Sequence, residues 1–185
     1  PFDLERDGIS IGEGAGFALL EKPSAAMPSD AVMLLGVGES NDAYHMSTPH
    51  PEGLGARLAM ERALAAAGLT APAVDYVNLH GTATKVGDAS EDQAVVALFG
   101  RETPCSSTKG HTGHMLGAAG IAEAIIAALV IRNGLLPGSP ETRRLDPALK
   151  CNYRLETAAA RVKRVMSNSF GFGGSNCSLV LASAG

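Results

Sequence analysis

Three ionisable residues at turns carry the chemistry that this sequence offers. His80 closes the run Val74-Asp75-Tyr76-Val77-Asn78-Leu79 and is followed by Gly81-Thr82-Ala83-Thr84. Lys109 and His114 stand in the Gly-rich turn Thr108-Lys109-Gly110-His111-Thr112-Gly113-His114, which follows Cys105-Ser106-Ser107 and opens into Gly117-Ala118-Ala119-Gly120. A third Gly-rich turn, Phe170-Gly171-Phe172-Gly173-Gly174, follows Met166-Ser167-Asn168-Ser169. Strand-turn-helix units with ionisable groups at the turn are where α/β proteins keep their chemistry. Three Gly-rich strand ends, two of them carrying ionisable groups, point to one site assembled from separated segments. Two His and a Lys at one cleft suit polarisation of a thioester carbonyl and stabilisation of an enolate. They supply no nucleophile.

Each of these residues has a plainer reading beside the chemical one. His80 either faces a cleft or is a hydrogen-bonded structural His. His114 precedes an apolar helix, whose N-terminal N–H groups lower the pKa of a nearby imidazole. A neutral imidazole there donates to a carbonyl or enolate oxygen without carrying charge. His111 reads as local or solvent-facing. Glu123 interrupts the apolar run Ile121 to Ile131, so it either pairs with Lys109 or faces solvent. Cys105 lies inside a strand and reads as a small buried residue, because a catalytic Cys prefers a helix N-terminus and exposure. His45 and His50 lack a Cys or carboxylate at ligand spacing, so no metal site is expected. Gly12, Gly14 and Gly16 permit close backbone approach, but the Lys-Ser/Thr ending of a phosphate loop is missing.

The elements that must position these groups follow from patterning. With 185 residues, 45% hydrophobic and 18% charged, the chain is long enough for one domain with a real core. A net charge of −4, few aromatics and no Trp leave nucleic acid a poor partner. The three Cys have neither metal nor disulfide spacing, no signal peptide is visible, and a cytoplasmic, reducing compartment is expected. Ile121 to Ile131 is too short to span a bilayer core of ~30 Å and reads as a buried core helix. Ile9 to Leu20 and Ala31 to Val37 read as a strand hairpin. Leu54 to Ala67 has helical spacing and stops at Gly68. Val74 to Leu79 and Thr103 to Thr108 read as strands. Asp88 reads as the N-cap of the next helix, with Glu91 as its reciprocal acid, and Gly100 as its end. Leu116 to Arg132 is the long helix, and Arg161 to Asn168 with Cys177 to Ala182 form a final antiparallel pair. Strand-helix alternation predicts an α/β protein, its mostly parallel sheet sandwiched between helices.

Taken together, these motifs resemble the C-terminal half of a β-ketoacyl-acyl carrier protein synthase, a condensing enzyme of the thiolase-like superfamily. The resemblance runs from Arg6-Asp7-Gly8 and Gly12-Glu13-Gly14-Ala15-Gly16 through Asp42-Ala43-Tyr44-His45-Met46 and His80-Gly81-Thr82-Ala83-Thr84. It continues through Ser107-Thr108-Lys109, Gly113-His114-Met115-Leu116-Gly117-Ala118-Ala119-Gly120 and Asn168-Ser169-Phe170-Gly171-Phe172-Gly173-Gly174. It implies a mixed five-stranded sheet between helices. Residues 1–40 would be the last strands of an N-terminal half and 41–185 the C-terminal domain. It also implies roles: His80 and His114 bind the malonyl thioester carbonyl, and Lys109 links them to Glu123. Thr82 and Thr84 bond the pantetheine arm, Phe172 lends its backbone N–H to an oxyanion hole, and the Phe170-to-Phe172 loop gates the acyl pocket. The phosphopantetheine arrives on an acyl carrier protein, so no resident cofactor is implied. The family's nucleophilic Cys lies in the N-terminal half, and no such segment occurs here. The chain opens at Pro1 as if continuing from an upstream segment and is expected to be inactive without that half. The complete enzyme is expected to be a homodimer or a paired heterodimer. The alternative is a non-catalytic chain-length-factor-like partner, although such partners usually lose residues that are kept here. A thiolase would place a Cys in the late Gly-rich turn, where this sequence has none. Arg143, Arg144, Lys150, Arg154, Arg161, Lys163 and Arg164 either help dock an acidic carrier or form a solvated face.

Overall fold

The sheet is built outward from a short buried strand in the computed structural model, which describes residues 1–185. In chain order the elements are β1 (Val32–Asn41), α1 (Leu54–Ala67), β2 (Tyr76–Asn78), α2 (Lys85–Phe99) and β3 (Pro104–Ser106). There follow α3 (Lys109–Thr112), α4 (Ala119–Asn133), β4 (Leu135–Leu136), β5 (Asn152–Tyr153), β6 (Ala158–Ala159), β7 (Arg164–Phe170) and β8 (Ser175–Ser183). The main sheet runs β1-β8-β7-β2-β3-β5. β7, β2, β3 and β5 are parallel, whereas β8 is antiparallel to both β7 and β1.

Residue alternation explains why both faces are covered. Successive side chains of a strand point to opposite faces. On β2, Tyr76 joins one core with Ala127, Val130 and Ile131 of α4. Val77 joins the other, with Met60 and Leu64 of α1 and Val95 of α2. Val165 and Met166 of β7 divide in the same way, as do Leu181 and Val180 of β8. Helices therefore lie on both faces, as the strand-helix alternation predicts. Gly68 (φ 64°) and Gly134 (φ 61°) end α1 and α4 in left-handed conformations that a side chain would strain.

Several expectations are corrected. The sheet has six strands rather than five, because Asn152–Tyr153 adds a two-residue edge strand. That edge is fixed by the Arg154 N–H on the Cys105 carbonyl and by Tyr153 stacked on Phe2, ring centroids 4.5 Å apart. The expected hairpin does not form. β1 pairs with β8 at the far end of the chain, and of Ile9 to Leu20 only Ile11 makes a strand contact, an isolated bridge to His114. The alternating glycines do allow close approach, but to a different partner: a Cβ at Gly12 would lie 2.1 Å from the Thr112 carbonyl oxygen. Residues 40 and 41 both belong to β1, whose ladder with β8 runs through Asn41.

Helix α2 starts a turn earlier than expected. Thr84, not Asp88, is its N-cap, accepting from the Gly87 N–H at 3.1 Å. Asp88 is instead buried in the first turn, where it accepts from the Phe2 and Ala83 N–H groups beside Arg6. α4 buries one stripe rather than its whole surface: Ala127, Val130 and Ile131 are covered, while Ile125 and Leu129 are exposed. Leu116–Asn133, with mean hydropathy 1.6, is long and apolar enough to cross a membrane by length and composition alone. Its Glu123 is nevertheless engaged by Lys109 and its inner stripe by the sheet.

Candidate active site

The parallel strands β7, β2 and β3 all end at one edge of the sheet, and the chemistry gathers there. In register, Asn78 lies between Ser106 and Ser167. The residues that follow each of these therefore emerge side by side: His80 to Thr84, Ser107 to Lys109, and Ser169 to Phe172. A crevice at the carboxyl ends of parallel strands is the usual ligand position in open α/β sheets. Here a cavity of about 730 Å³ is lined by His80, Thr82, Thr84, His114, Phe170 and Phe172 among others. The structure thus brings together every expected site residue except Lys109 and Glu123, which lie behind this wall.

The imidazoles of His80 and His114 meet edge to face, ring centroids 5.3 Å apart and planes at 86°. The Phe170 ring lies 5.9 Å from His80. Nδ1 of both imidazoles is buried without a protein partner, which leaves Nε2 as the nitrogen open to the cavity. Burial, followed by the charges of Lys109 and His114, holds the pKa of His80 well below the ordinary value of 6.5. Burial and Lys109 lower that of His114. Both rings are therefore held neutral. The cause is not the expected helix N-terminus: His114 stands ahead of a one-turn 3-10 helix, Leu116–Ala118, and its N–H is taken by the Ser10 carbonyl.

Lys109 begins the short α3, buried, with Nζ on the Glu123 Oε1. The solvent-facing alternative for Glu123 is excluded, since its side chain is 4% exposed. Burial raises the Glu123 pKa while the Lys109 charge opposes that rise. A buried pair of this kind is costly to assemble and costlier to break on one side. His111 is exposed, as expected. Cys105 is fully buried, and none of the three cysteines lines the cavity.

Two groups of residues escaped the sequence reading. Glu91 lies on α2 and is buried against the site loop. Its carboxylate accepts from the His80 and Gly81 N–H groups, both at 2.8 Å, and from Asn168 Nδ2 at 3.3 Å. Burial raises its pKa to about 7, against those two backbone hydrogen bonds. The signal was present: Glu91, Ala94, Val95 and Leu98 share one helix face, so an acid sits on the inward stripe. The second group joins the segment after β1 to the late Gly-rich turn. The Gly173 N–H reaches the Met46 carbonyl at 2.8 Å, the Asp42 N–H the Gly174 carbonyl at 2.9 Å, and Asn176 Nδ2 the Asp42 Oδ1 at 2.8 Å. Within the same segment, the imidazole Nδ1 atoms of His45 and His50 bond only to groups two residues on, and no cluster of metal-ligating side chains exists.

The sequence profile described as the C-terminal domain of beta-ketoacyl synthase matches residues 31–143. The chain belongs to the β-ketoacyl synthase family. It is 44% identical to the mitochondrial 3-oxoacyl-acyl-carrier-protein synthase of Arabidopsis thaliana, over 99% of this chain and 42% of that protein. Among solved structures, the ishigamide ketosynthase/chain length factor superposes on all of this chain and 47% of its own, with TM-score 0.93 and 34% identity. A chain of the complex between the ketosynthase ApeO and its chain length factor ApeC from Xenorhabdus doucetiae is 49% identical over 83% of this chain and 39% of its own, with TM-score 0.80. The fold is thiolase-like. The chain spans less than half the length of these relatives.

Proposed function

We propose that this chain supplies the carbonyl-binding, decarboxylating side of a β-ketoacyl-acyl carrier protein synthase site. The reaction is a decarboxylative Claisen condensation of an acyl thioester with malonyl-acyl carrier protein, in fatty-acid or polyketide synthesis. The observation that carries this reading is the pair of neutral imidazoles on one cavity wall, ring centroids 5.3 Å apart, with the Lys109–Glu123 pair behind them.

The chemistry follows from that pair. The malonyl carboxylate leaves as CO₂, and the electron pair of the breaking C–C bond moves into the thioester carbonyl. Nε2–H of His80 and of His114 donate to the enolate oxygen that forms, where fixed donors in a water-poor site act most strongly. The enolate carbon attacks an acyl thioester carbon, a C–C bond forms, and the C–S bond breaks with the thiolate as leaving group. That thiolate belongs to a Cys of the N-terminal half of the same enzyme, since no Cys of this chain reaches the cavity. Burial keeps both imidazoles neutral, and the Lys109 charge adds to that effect. The Thr82 and Thr84 hydroxyls bond the pantetheine arm, the Phe172 N–H serves the acyl oxyanion hole, and the Phe170-to-Phe172 loop gates the acyl pocket.

The phosphopantetheine arm arrives on the acyl carrier protein, and no resident cofactor or metal takes part. The complete enzyme pairs as a homodimer or with a chain-length-factor partner. A non-catalytic role for the chain itself is disfavoured by the retention of His80, Lys109 and His114. The proposed compartment is cytoplasmic, in keeping with three free cysteines. In the complete enzyme, His80→Ala, His114→Ala and Lys109→Ala are each expected to abolish malonyl decarboxylation, measured as CO₂ release; near-normal rates in those variants overturn the reading.

A further inference from the structure

The charged residues lining the cavity are unequal in their commitments. Asp42 is occupied by Asn176 Nδ2 and the His50 N–H. Glu91 is buried and occupied by two backbone N–H groups. Lys85 is the one lining residue with a permanent positive charge, it is exposed, and it makes neither an ion pair nor a side-chain hydrogen bond. Its backbone is nevertheless fixed. It is the first residue of α2, directly after the cap Thr84, and its carbonyl accepts from Arg6 Nη2 at 3.4 Å.

Position along the chain turns this into a polarity gradient. His80 holds the reacting end. Thr82 is buried, Thr84 is half-buried, and their hydroxyl oxygens are 3.3 Å apart. Lys85, the next residue, lines the same cavity and is exposed to solvent. Lys85 follows His80 by five positions, so their Cα atoms are at most roughly 18 Å apart. A ligand matched to this wall has a thioester at the inner end, amide groups in the middle and an anion at the exposed end. We propose that Lys85 is an anion subsite that takes the phosphate ester at the end of a pantetheine arm, with the condensing-enzyme reading as its premise. A lysine does this as a point charge with freely rotating donors, which suits the terminus of a flexible arm.

The test compares ligands that differ only in the phosphate, using the complete enzyme. Binding of malonyl-phosphopantetheine and of malonyl-pantetheine is measured by calorimetry on wild type, Lys85→Met and Lys85→Arg. Wild type is expected to prefer the phosphorylated arm by about five- to tenfold. Lys85→Met is expected to bring that ratio close to one, and Lys85→Arg to restore most of it. Malonyl-carrier protein and malonyl-coenzyme A bring the same group by two routes: an effect on both assigns the subsite to the phosphate ester itself, and an effect on the carrier substrate alone to its carrier-borne form. No preference in wild type, or an unchanged ratio in Lys85→Met, overturns the subsite. These outcomes are read from binding ratios, whereas the histidine variants are read from CO₂ release, so failure of the premise registers separately.

Discussion

The inner and outer ends of the cavity are held by different forces. At the inner end, His80, Lys109, Glu123 and Glu91 are fixed by buried charge and by hydrogen bonds to backbone amides. At the outer end, Met46 is 79% and Phe172 77% exposed, and the two segments that carry them meet through neutral main-chain bonds and a side-chain bond from Asn176 to Asp42. Buried charges tolerate one geometry, because any displacement leaves an ion unpaired. Neutral bonds in contact with water contribute only about 1 kcal/mol each and can exchange with solvent. The inner end is therefore held in one geometry, and the outer end less tightly.

The sharpest way to break this contrast is to remove one inner charge. Lys109→Ala is expected to cost about 3–5 kcal/mol of stability by leaving Glu123 buried and unpaired, measured by denaturant unfolding. Lys109→Met with Glu123→Leu should recover most of that stability but not the activity; a double variant as unstable as the single one counts against a charge explanation. Next in size, His80→Ala and His114→Ala should each abolish measurable decarboxylation, a loss of at least the roughly 10²–10³-fold that removing an oxyanion donor gives, while Phe172→Ala at the outer end changes the rate by much less.

A smaller effect separates the two ends by pH. Glu91 has its pKa raised from 4.5 to about 7, so the native state holds a proton that the unfolded chain has released, and wild-type stability falls as pH rises through that window. Glu91→Gln should therefore gain on wild type between about pH 4.5 and 7 and run parallel to it elsewhere; a pH-independent difference means that Glu91 titrates normally. His80 and His114 act with the opposite sign. Their lowered pKa values stabilise the fold at high pH, and that stability is lost as pH falls below 6.5. The acid limb of the decarboxylation profile should accordingly lie below 6.5. Smallest of all, Asn176→Ala, which frees Asp42 from the late turn, should cost about 1 kcal/mol and change KM more than kcat.

The site was more legible than the sheet. His80, Lys109 and His114 stood out because ionisable residues at Gly-rich strand ends are a local pattern, and Glu123 because an acid in an apolar run demands a partner. Glu91 was hidden by a local alternative, the capping pattern with Asp88, which Thr84 pre-empts by capping a turn earlier. The hairpin failed because β1 takes its partner from the other end of the chain, and no short-range pattern announces that choice. The two-residue β5 was equally unreadable, since its pairing with β3 depends on tertiary contacts with Phe2 and Cys105.

The contact between β1 and α1 is made by main-chain atoms. A Cβ at Gly36 would lie 2.3 Å from the Ala63 carbonyl oxygen, and one at Gly38 would lie 2.0 Å from that of Ala59. The same helix carries Ala56 into the cavity wall. The position of that wall is consequently set from behind, by two hydrogens on a strand that does not itself line the cavity. Adding a single methyl at residue 36 or 38 would act as a shim, pushing the wall inward without altering one lining side chain.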